Sequence, residues 1–211
     1  MKTLVLALSL LALPSAAETI AQARALPAGT TVTVEGWVSV PPGLFSSASL
    51  EDEGFAIQDA TDGLYVSVDT AAHLELNRRV RVSGHVEDLF GIRTLGVDDL
   101  SGVSALPAAR RVTPEPIATG DLGEETEGRL VTITGVLTQP VVHDHPYGDE
   151  LHVDDGSGEA KVFVHLSTGV DVDGIPWIRP GERITVIGLS SQFLNAFEID
   201  PRFRGDLRRA P

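Results

Sequence analysis

Histidine and acidic side chains crowd one stretch in the second half of the chain. Four of the six histidines lie between residues 143 and 165, namely His143, His145, His152 and His165. Neutral imidazole and carboxylate groups are good zinc ligands. We therefore expect a divalent metal bound by His143, His145 and His152, with Asp154 or His165 as fourth ligand, and no other cofactor. The spacing matches no standard zinc motif, so exposed polar residues without a metal are the competing interpretation.

A second group of residues has the types that hold unpaired bases. Side-chain alternation along the predicted strands turns Trp37 and Tyr65 outward, where aromatic rings can stack on bases or sugars. Arginines nearby could contact phosphate groups. The competing interpretations are that Trp37 packs under a loop or against the second half of the chain, and that the arginines balance the acidic charge. The predicted ligand-binding residues are Trp37, Gln58, Tyr65, Arg79, Arg81, Lys161 and Phe163.

The sequence gives little support for catalysis. The sequence has no Gly-x-Ser-x-Gly elbow, no phosphate-cradling glycine-rich loop and no His-Glu-x-x-His pair. Asp98 and Asp99 are adjacent, so on a strand they would face opposite sides. We therefore expect a binding protein and not an enzyme.

Composition limits the classes of ligand. The 211 residues include 16 Lys and Arg against 30 Asp and Glu, for a formal net charge of −14. A general polyanion binder needs an excess of basic residues, so this balance argues against one. The chain has no cysteine, which excludes disulfides, thiolate metal sites and cysteine nucleophiles. A hydrophobic fraction of 42% is typical of a packed globular core.

The first residues have the pattern of a secretory signal peptide. Lys2 precedes an apolar run over residues 3–13, and small residues follow at 15–17. The run is shorter than the roughly 20 residues of a membrane-spanning helix, and no later segment could span a bilayer. We predict a signal peptide over residues 1–17 and a periplasmic or secreted protein.

Short strands with turn residues between them fill the first half of the chain. Residues 31–38 alternate apolar and polar side chains, as a half-buried strand does. Similar segments follow at 55–59, 64–68, 79–86 and 91–95. Residues 19–25 could form one or two helical turns.

The same order of segments repeats in the second half. Its strands are predicted at 129–136, 150–154, 162–166, 180–188 and 195–199. A connector rich in proline and alanine, residues 107–116, separates the halves. Closing each set of five strands hides the sheet edges. The fold class is therefore all-β, with two tandem five-stranded Greek-key barrels over residues 19–108 and 112–210; a single β-sandwich is the alternative.

The order of motifs resembles a known family. Residues 29–38 read Gly-x-x-Val-x-Val-x-Gly-x-Val, residues 54–66 read Gly-Phe-x-Ile-Gln-Asp-x-x-x-Gly-Leu-Tyr-Val, and residues 79–84 read Arg-Val-x-Val-x-Gly. These motifs are similar to OB-fold nucleic-acid-binding domains, and most of all to the OB-fold modules that accompany secreted bacterial nucleases. The second half matches more loosely, because Val153-Asp154-Asp155 stands where the first half has Ile57-Gln58-Asp59.

The sequence leaves two classes of ligand open. The resemblance implies an exported, non-catalytic module that binds single-stranded nucleic acid or an oligonucleotide on its outer barrel face. The chain departs from what this resemblance implies in its acidic charge, since a single lysine is left once residues 1–17 are removed. The alternative is a periplasmic module that binds a protein partner, a cation or a metal, because an acidic surface attracts cationic ligands.

Overall fold

The computed structural model describes residues 17–45 and 52–211. Strands dominate it and close into two five-stranded barrels, which confirms the predicted fold class. The predicted signal peptide lies outside the described residues except for Ala17. No helix in the described part of the chain is long and apolar enough to cross a membrane.

The first barrel begins with a short helix. Thr19 caps this helix: its hydroxyl accepts from the Gln22 backbone, and the Gln22 side chain bonds back to the Thr19 backbone. The elements are α1 (Ile20–Arg24), β1 (Thr31–Val40), β2 (Phe55–Gln58), β3 (Gly63–Ser67), β4 (Arg78–Leu89), β5 (Ile92–Gly96) and β6 (Val103–Ala109), with a 3₁₀ turn at Leu100–Gly102.

The strands of the first half pair in the order β1-β2-β3-β5-β4, and β4 pairs back with β1 to close the barrel. The β3–β5 pair is parallel and the other pairs of the ring are antiparallel. This is the strand order of an OB-fold barrel. Strand β6 lies outside the ring, on the free edge of β4.

The second half repeats this arrangement. Strands pair in the order β8-β10-β11-β13-β12, with β12 returning to β8 and a parallel β11–β13 pair. The elements are β7 (Glu115–Pro116), β8 (Leu130–Leu137), β9 (Val142–Asp144), β10 (Gly148–Asp154), β11 (Ala160–His165), β12 (Arg183–Phe193), β13 (Ala196–Asp200) and β14 (Leu207–Arg209), with 3₁₀ turns at Thr119–Asp121, Leu166–Thr168 and Arg204–Asp206.

Each barrel has its own apolar interior. The alternation predicted from sequence sets its composition: Val32, Val34, Leu64 and Val66 point inward and are buried in the first core. The second core is built in the same way from residues such as Ile133, Leu151, Val162 and Val186. Alternate residues therefore point outward, and these outward side chains form the surfaces discussed below.

Two glycines allow the fourth strand of each ring to curl over the fifth. A Cβ atom on Gly188 would lie 2.6 Å from the carbonyl oxygen of Asp200 on β13. Gly84 holds the equivalent place on β4, where a Cβ would collide with the carbonyl oxygen of Gly96 on β5. Close approach of backbones explains why these interior strand positions have no side chain.

The connector between the barrels differs from the prediction. Its first part is strand, because β6 runs through Ala109 and pairs with β4 along an edge that would otherwise be free. Strands β7, β9 and β14 were also absent from the sequence prediction. Each has only two or three residues, which is too short to show a period-two pattern.

Candidate functional site

The two barrels pack against each other through a third apolar cluster. Val40, Phe45, Ala56, Tyr65 and Ile92 of the first half meet Leu189 of the second. Gly63 lies so close to the backbone of Gly128 that a Cβ atom there would overlap the Gly128 carbonyl. The outward face of β2 and β3 in the first barrel is therefore a docking face for the second barrel.

Buried polar contacts fix this docking. Arg24 bonds to Glu127, with 2.9 Å between Nη2 and Oε1, and also pairs with Asp62. The Glu127 side chain is fully buried, and burial raises its pKa, while the Arg93 backbone N–H and Arg24 favour its ionised form. The Gln58 side chain accepts a hydrogen bond of 2.9 Å from the Leu130 backbone N–H.

A cleft of about 460 Å³ opens beside the docking face, between the barrels. Aromatic side chains concentrate there: the cleft contains six of the eleven aromatic residues of the chain, and both barrels contribute to it. A cleft lined by aromatic side chains suits a ligand that has a flat ring. The six are Phe45, Tyr65, Phe90, Tyr147, Phe163 and Phe193.

Two hairpin tips form the rim of this cleft. Phe90 follows β4 and Phe193 ends β12, and their rings lie 5.8 Å apart. The Leu194 backbone N–H donates to the Phe90 carbonyl across the gap between the barrels, at 2.5 Å. Phe90 and Phe193 are 44% and 50% exposed, which is unusual for phenylalanine and is typical of a recognition surface.

The floor of the cleft is polar. Lys161 on β11 pairs with Glu150 at 2.9 Å and with Glu198 at 3.1 Å, measured from Nζ to the nearest carboxylate oxygen. His165 stacks on Phe45 with ring centroids 4.9 Å apart, and meets Phe163 edge-on at 4.8 Å. The floor thus joins charged groups to aromatic rings.

Burial raises the pKa of two ionisable side chains that line the cleft. Burial and the neighbouring Asp200 raise the pKa of Glu198 to about 7, although Lys161 acts in the opposite direction. The pKa of Tyr65 is raised well above its ordinary value by burial and by Asp52, which accepts a hydrogen bond from its hydroxyl. Glu198 is therefore poised to change charge near neutral pH.

Several buried polar atoms on the floor have no hydrogen-bond partner among the described residues. They are Oδ1 of Asp200, Oε1 of Gln192 and Nε2 of His165. The last of these lies 3.5 Å from Oδ2 of Asp200, close enough for ionic attraction but without hydrogen-bond geometry. An unpaired buried polar atom costs about 1–3 kcal/mol, so a ligand that donates hydrogen bonds here would recover that cost.

The structure divides the predicted ligand-binding residues among three places. Tyr65, Lys161 and Phe163 line the cleft, and alternation along β3 and β11 turns them outward as expected. Gln58 is also outward, but it lies in the docking face, bonded to Leu130. The cleft therefore unites residues predicted separately for the two halves.

Trp37, Arg79 and Arg81 lie on a different surface, the outer face of β1 and β4, which we call the arginine face. Arg110 covers the Trp37 ring, with its guanidinium carbon 3.8 Å from the ring centroid. Glu35 binds both other arginines, at 2.6 Å to each. Hydrogen bonding to Arg81 is the largest cause that lowers the pKa of Glu35. Arg79 and Arg81 are therefore already paired with a carboxylate.

The predicted set of four metal-binding histidines does not converge. The structure brings His143 and His145 together with Asp149 and places the other two elsewhere. His152 bonds to Glu159 at 2.9 Å, and His165 faces Asp200 in the cleft. The reason is the period of the strand: on β10 the buried residue Asp149 and the outward residue His152 lie on opposite faces.

Sequence reasoning missed most of the cleft rim and half of its floor. Phe90, Tyr147 and Phe193 lie at or beside hairpin tips, and an aromatic residue at a turn is a detectable signal. Asp200 and Gln192 offered no such signal, because they become neighbours of Tyr65 only after the second barrel has docked.

The chain is similar in sequence to part of a known endonuclease. No known protein-family profile matches the chain. The chain is 26% identical to the endonuclease YhcR of Bacillus subtilis (strain 168) over 189 residues, which cover 84% of this chain and 15% of the endonuclease. The chain therefore spans less than a sixth of the length of that relative.

Several solved structures are similar in shape at low identity. The tetrameric p202 HIN2 structure has a TM-score of 0.43 and 16% identity, covering 83% of this chain and 93% of that one. A murine DNA binding protein bound with double-stranded DNA has a TM-score of 0.42 and 14% identity, covering 85% and 96%. A replication protein A heterotrimer bound to single-stranded DNA has a TM-score of 0.35 and 17% identity, covering 47% and 82%.

Proposed function

We propose that the chain is a non-catalytic binding module for single-stranded nucleic acid, and that one unpaired base enters the cleft between the barrels. The observation that carries this proposal is the meeting of aromatic walls with the unpartnered acceptors of Asp200 and Gln192. A base offers a flat ring to the walls and exocyclic N–H donors to such acceptors. A paired base has its donors engaged, so the cleft favours single strands.

The charge of the cleft sets how a strand would lie. Five carboxylates, from Asp52, Asp144, Glu150, Glu198 and Asp200, outnumber the basic side chains Lys161 and His165. Phosphate groups would be repelled from this floor, so the base enters and the backbone stays at the rim. The sequence similarity to part of an endonuclease supports nucleic acid as the ligand class.

Export is a further part of this proposal. The pattern of residues 1–17 supports it, and cleavage after Ala17 would leave Glu18 as the first residue. The N-terminal sequence of protein recovered from the periplasm or medium tests it: a mature chain that begins at Glu18 is expected, and an intact Met1 in the cytoplasm would contradict export.

Fluorescence anisotropy with labelled oligonucleotides tests the ligand. We expect single strands to bind at least about tenfold more tightly than the matched duplex. Phe163→Ala and Tyr147→Ala should each weaken binding by about tenfold, since a base–aromatic stack contributes about 1–3 kcal/mol. Phe203→Ala is the matched control, because Phe203 is 39% exposed and does not line the cleft. Equal affinity in the two cleft variants and the wild type would contradict the assignment of the site.

The surplus of carboxylates favours a second candidate, a cationic amine ligand. Such a ligand would place its ammonium group against Asp200 and Glu198 and its apolar part against the aromatic walls. Competition separates the two candidates. If a polyamine binds the cleft with higher affinity than any oligonucleotide, and Asp200→Asn abolishes that binding, the amine is the ligand.

A further inference from the structure

The β9–β10 hairpin carries a cluster that the proposed function does not use. His143 on β9 lies directly across from Asp149 on β10, so both side chains share one face of the hairpin. His145 follows two residues after His143. One ligand atom from each of these three residues lies within 4.8 Å of the other two.

The distances within this cluster suit a shared ion. Nδ1 of His143 is 2.6 Å from Oδ1 of Asp149, and the His143 and His145 rings stack with centroids 5.5 Å apart and planes at 12°. Ligand atoms around a tetrahedral zinc ion are about 3.4 Å apart, given bond lengths near 2.0–2.1 Å. Small side-chain rotations therefore bring the three groups to one ion.

One side of the cluster is anchored and the other is open to solvent. The Asp149 side chain is only 7% exposed, and within the described residues it accepts a side-chain hydrogen bond from His143 and from no other group. His143 is 44% exposed, and His145 is exposed as well. The hairpin is held on β11 by the pairing of Gly148 with His165 and by the Leu166 N–H bond to the Tyr147 carbonyl.

We propose that His143, His145 and Asp149 bind a divalent transition-metal ion of the zinc class. Two imidazoles and one carboxylate select such ions over magnesium or calcium, which prefer all-oxygen ligands. Asp173, whose Oδ2 lies 3.9 Å from Nε2 of His143, is placed to approach the ion or to orient the His143 ring. Water completes the coordination, so the ion is exchangeable.

This site is separate from base binding in the cleft and does not depend on it. The hairpin nevertheless links the two sites, because Asp144 at the end of β9 and Pro146 and Tyr147 in the turn after it form part of the cleft wall. An ion held by the hairpin would restrain that wall.

Titration of the tag-free chain with Zn²⁺ by calorimetry, and with Co²⁺ by visible absorption, tests the proposal. We expect one ion per chain and a Co²⁺ spectrum that reports nitrogen and oxygen ligands. His145→Ala should weaken binding by at least about tenfold, the scale of a lost ligand interaction. Since His145 is exposed, this variant should keep the fold, which circular dichroism without metal verifies; Asp149→Asn is the second variant.

His85→Ala is the matched control. His85 also has two acidic neighbours, with Glu87 at 3.3 Å and Asp98 at 4.0 Å, but no second histidine of the described residues joins it in a group of possible metal ligands. This variant should bind Zn²⁺ as the wild type does. Wild-type affinity in His145→Ala, or no uptake of Zn²⁺ by the wild type, would overturn the proposal.

Discussion

The same outward face serves different purposes in the two barrels. In the first barrel, β2 and β3 pair Ala56 with Tyr65 and Gln58 with Gly63, and these small or neutral residues lie under the second barrel. In the second barrel, the equivalent strands β10 and β11 pair Glu150 with Phe163 and His152 with Lys161.

The difference shows how one strand order yields two kinds of surface. Closure of the barrel determines which residues point outward. The types of those side chains determine whether the face packs against the other barrel or remains open. A face without charge can be covered at little cost, whereas a face with Lys161 and Glu150 loses hydration when it is covered. The outward face of β2 and β3 is therefore the docking face, whereas the equivalent face of β10 and β11 is turned toward the cleft.

The largest expected effect comes from breaking the docking face. Arg24→Ala would leave the carboxylate of Glu127 buried without its cationic partner, and such a loss costs about 3–5 kcal/mol of unfolding free energy near neutral pH. The loss should shrink in acid, because a protonated Glu127 no longer needs Arg24. Urea unfolding at about pH 5 and pH 8 measures both effects.

The double variant Arg24→Ala/Glu127→Gln is the control for that mechanism. It removes the buried charge as well, so it should be more stable than Arg24→Ala alone at about pH 8. A double variant that is as unstable as the single one would show that lost packing, and not the unpaired carboxylate, causes the effect.

An intermediate effect concerns the open face of the second barrel. The pKa of Glu198 is raised from the ordinary 4.5 to about 7 in the folded chain, so its proton is bound more tightly there than in the unfolded chain. The stability that this proton contributes is complete below about pH 4.5 and is lost as the pH rises through about 7. Glu198→Gln should therefore raise the free energy of unfolding by about 1–3 kcal/mol at pH 8 and change it little at pH 5.

Glu159→Gln serves as the comparison for this pH profile. The hydrogen bond from Thr138 lowers the pKa of Glu159, so its ionised form favours the folded state and its replacement should destabilise at neutral pH. A Glu198→Gln difference that stays constant with pH would contradict the titration of Glu198 in the folded chain.

Local pattern was enough to predict the barrels and the direction of their outward side chains. The alternation of residues 64–68 and 162–166 placed Tyr65 and Phe163 on the outer face, where the structure has them. Local pattern could not show which outer faces meet. That depends on contacts between distant segments, such as the bond from the Leu130 N–H to Gln58, which no periodicity records.

The histidine cluster shows that local pattern also fails to reveal pairing between segments that are close in sequence. His143 and His145 were predicted as ligands from their density, but Asp149 was not, because β9 is too short to reveal that it pairs with β10. His152 and His165 were grouped with them because they share the outer face. They lie at opposite ends of it: their cross-strand partners, Lys161 and Gly148, are several residues apart along the pair.

The smallest expected effect compares the cleft with the arginine face. Arg79 and Arg81 both bind Glu35, so a phosphate group would have to displace a carboxylate that is already in place. Arg79→Ala/Arg81→Ala should therefore change oligonucleotide affinity by less than about threefold, against about tenfold for Phe163→Ala. Anisotropy at about 50 and 200 mM salt checks this, because each phosphate contact that is lost reduces the salt dependence of binding. If the double variant instead loses tenfold in affinity and most of its salt dependence, the strand binds across Trp37 and the arginine face, and the cleft has another ligand.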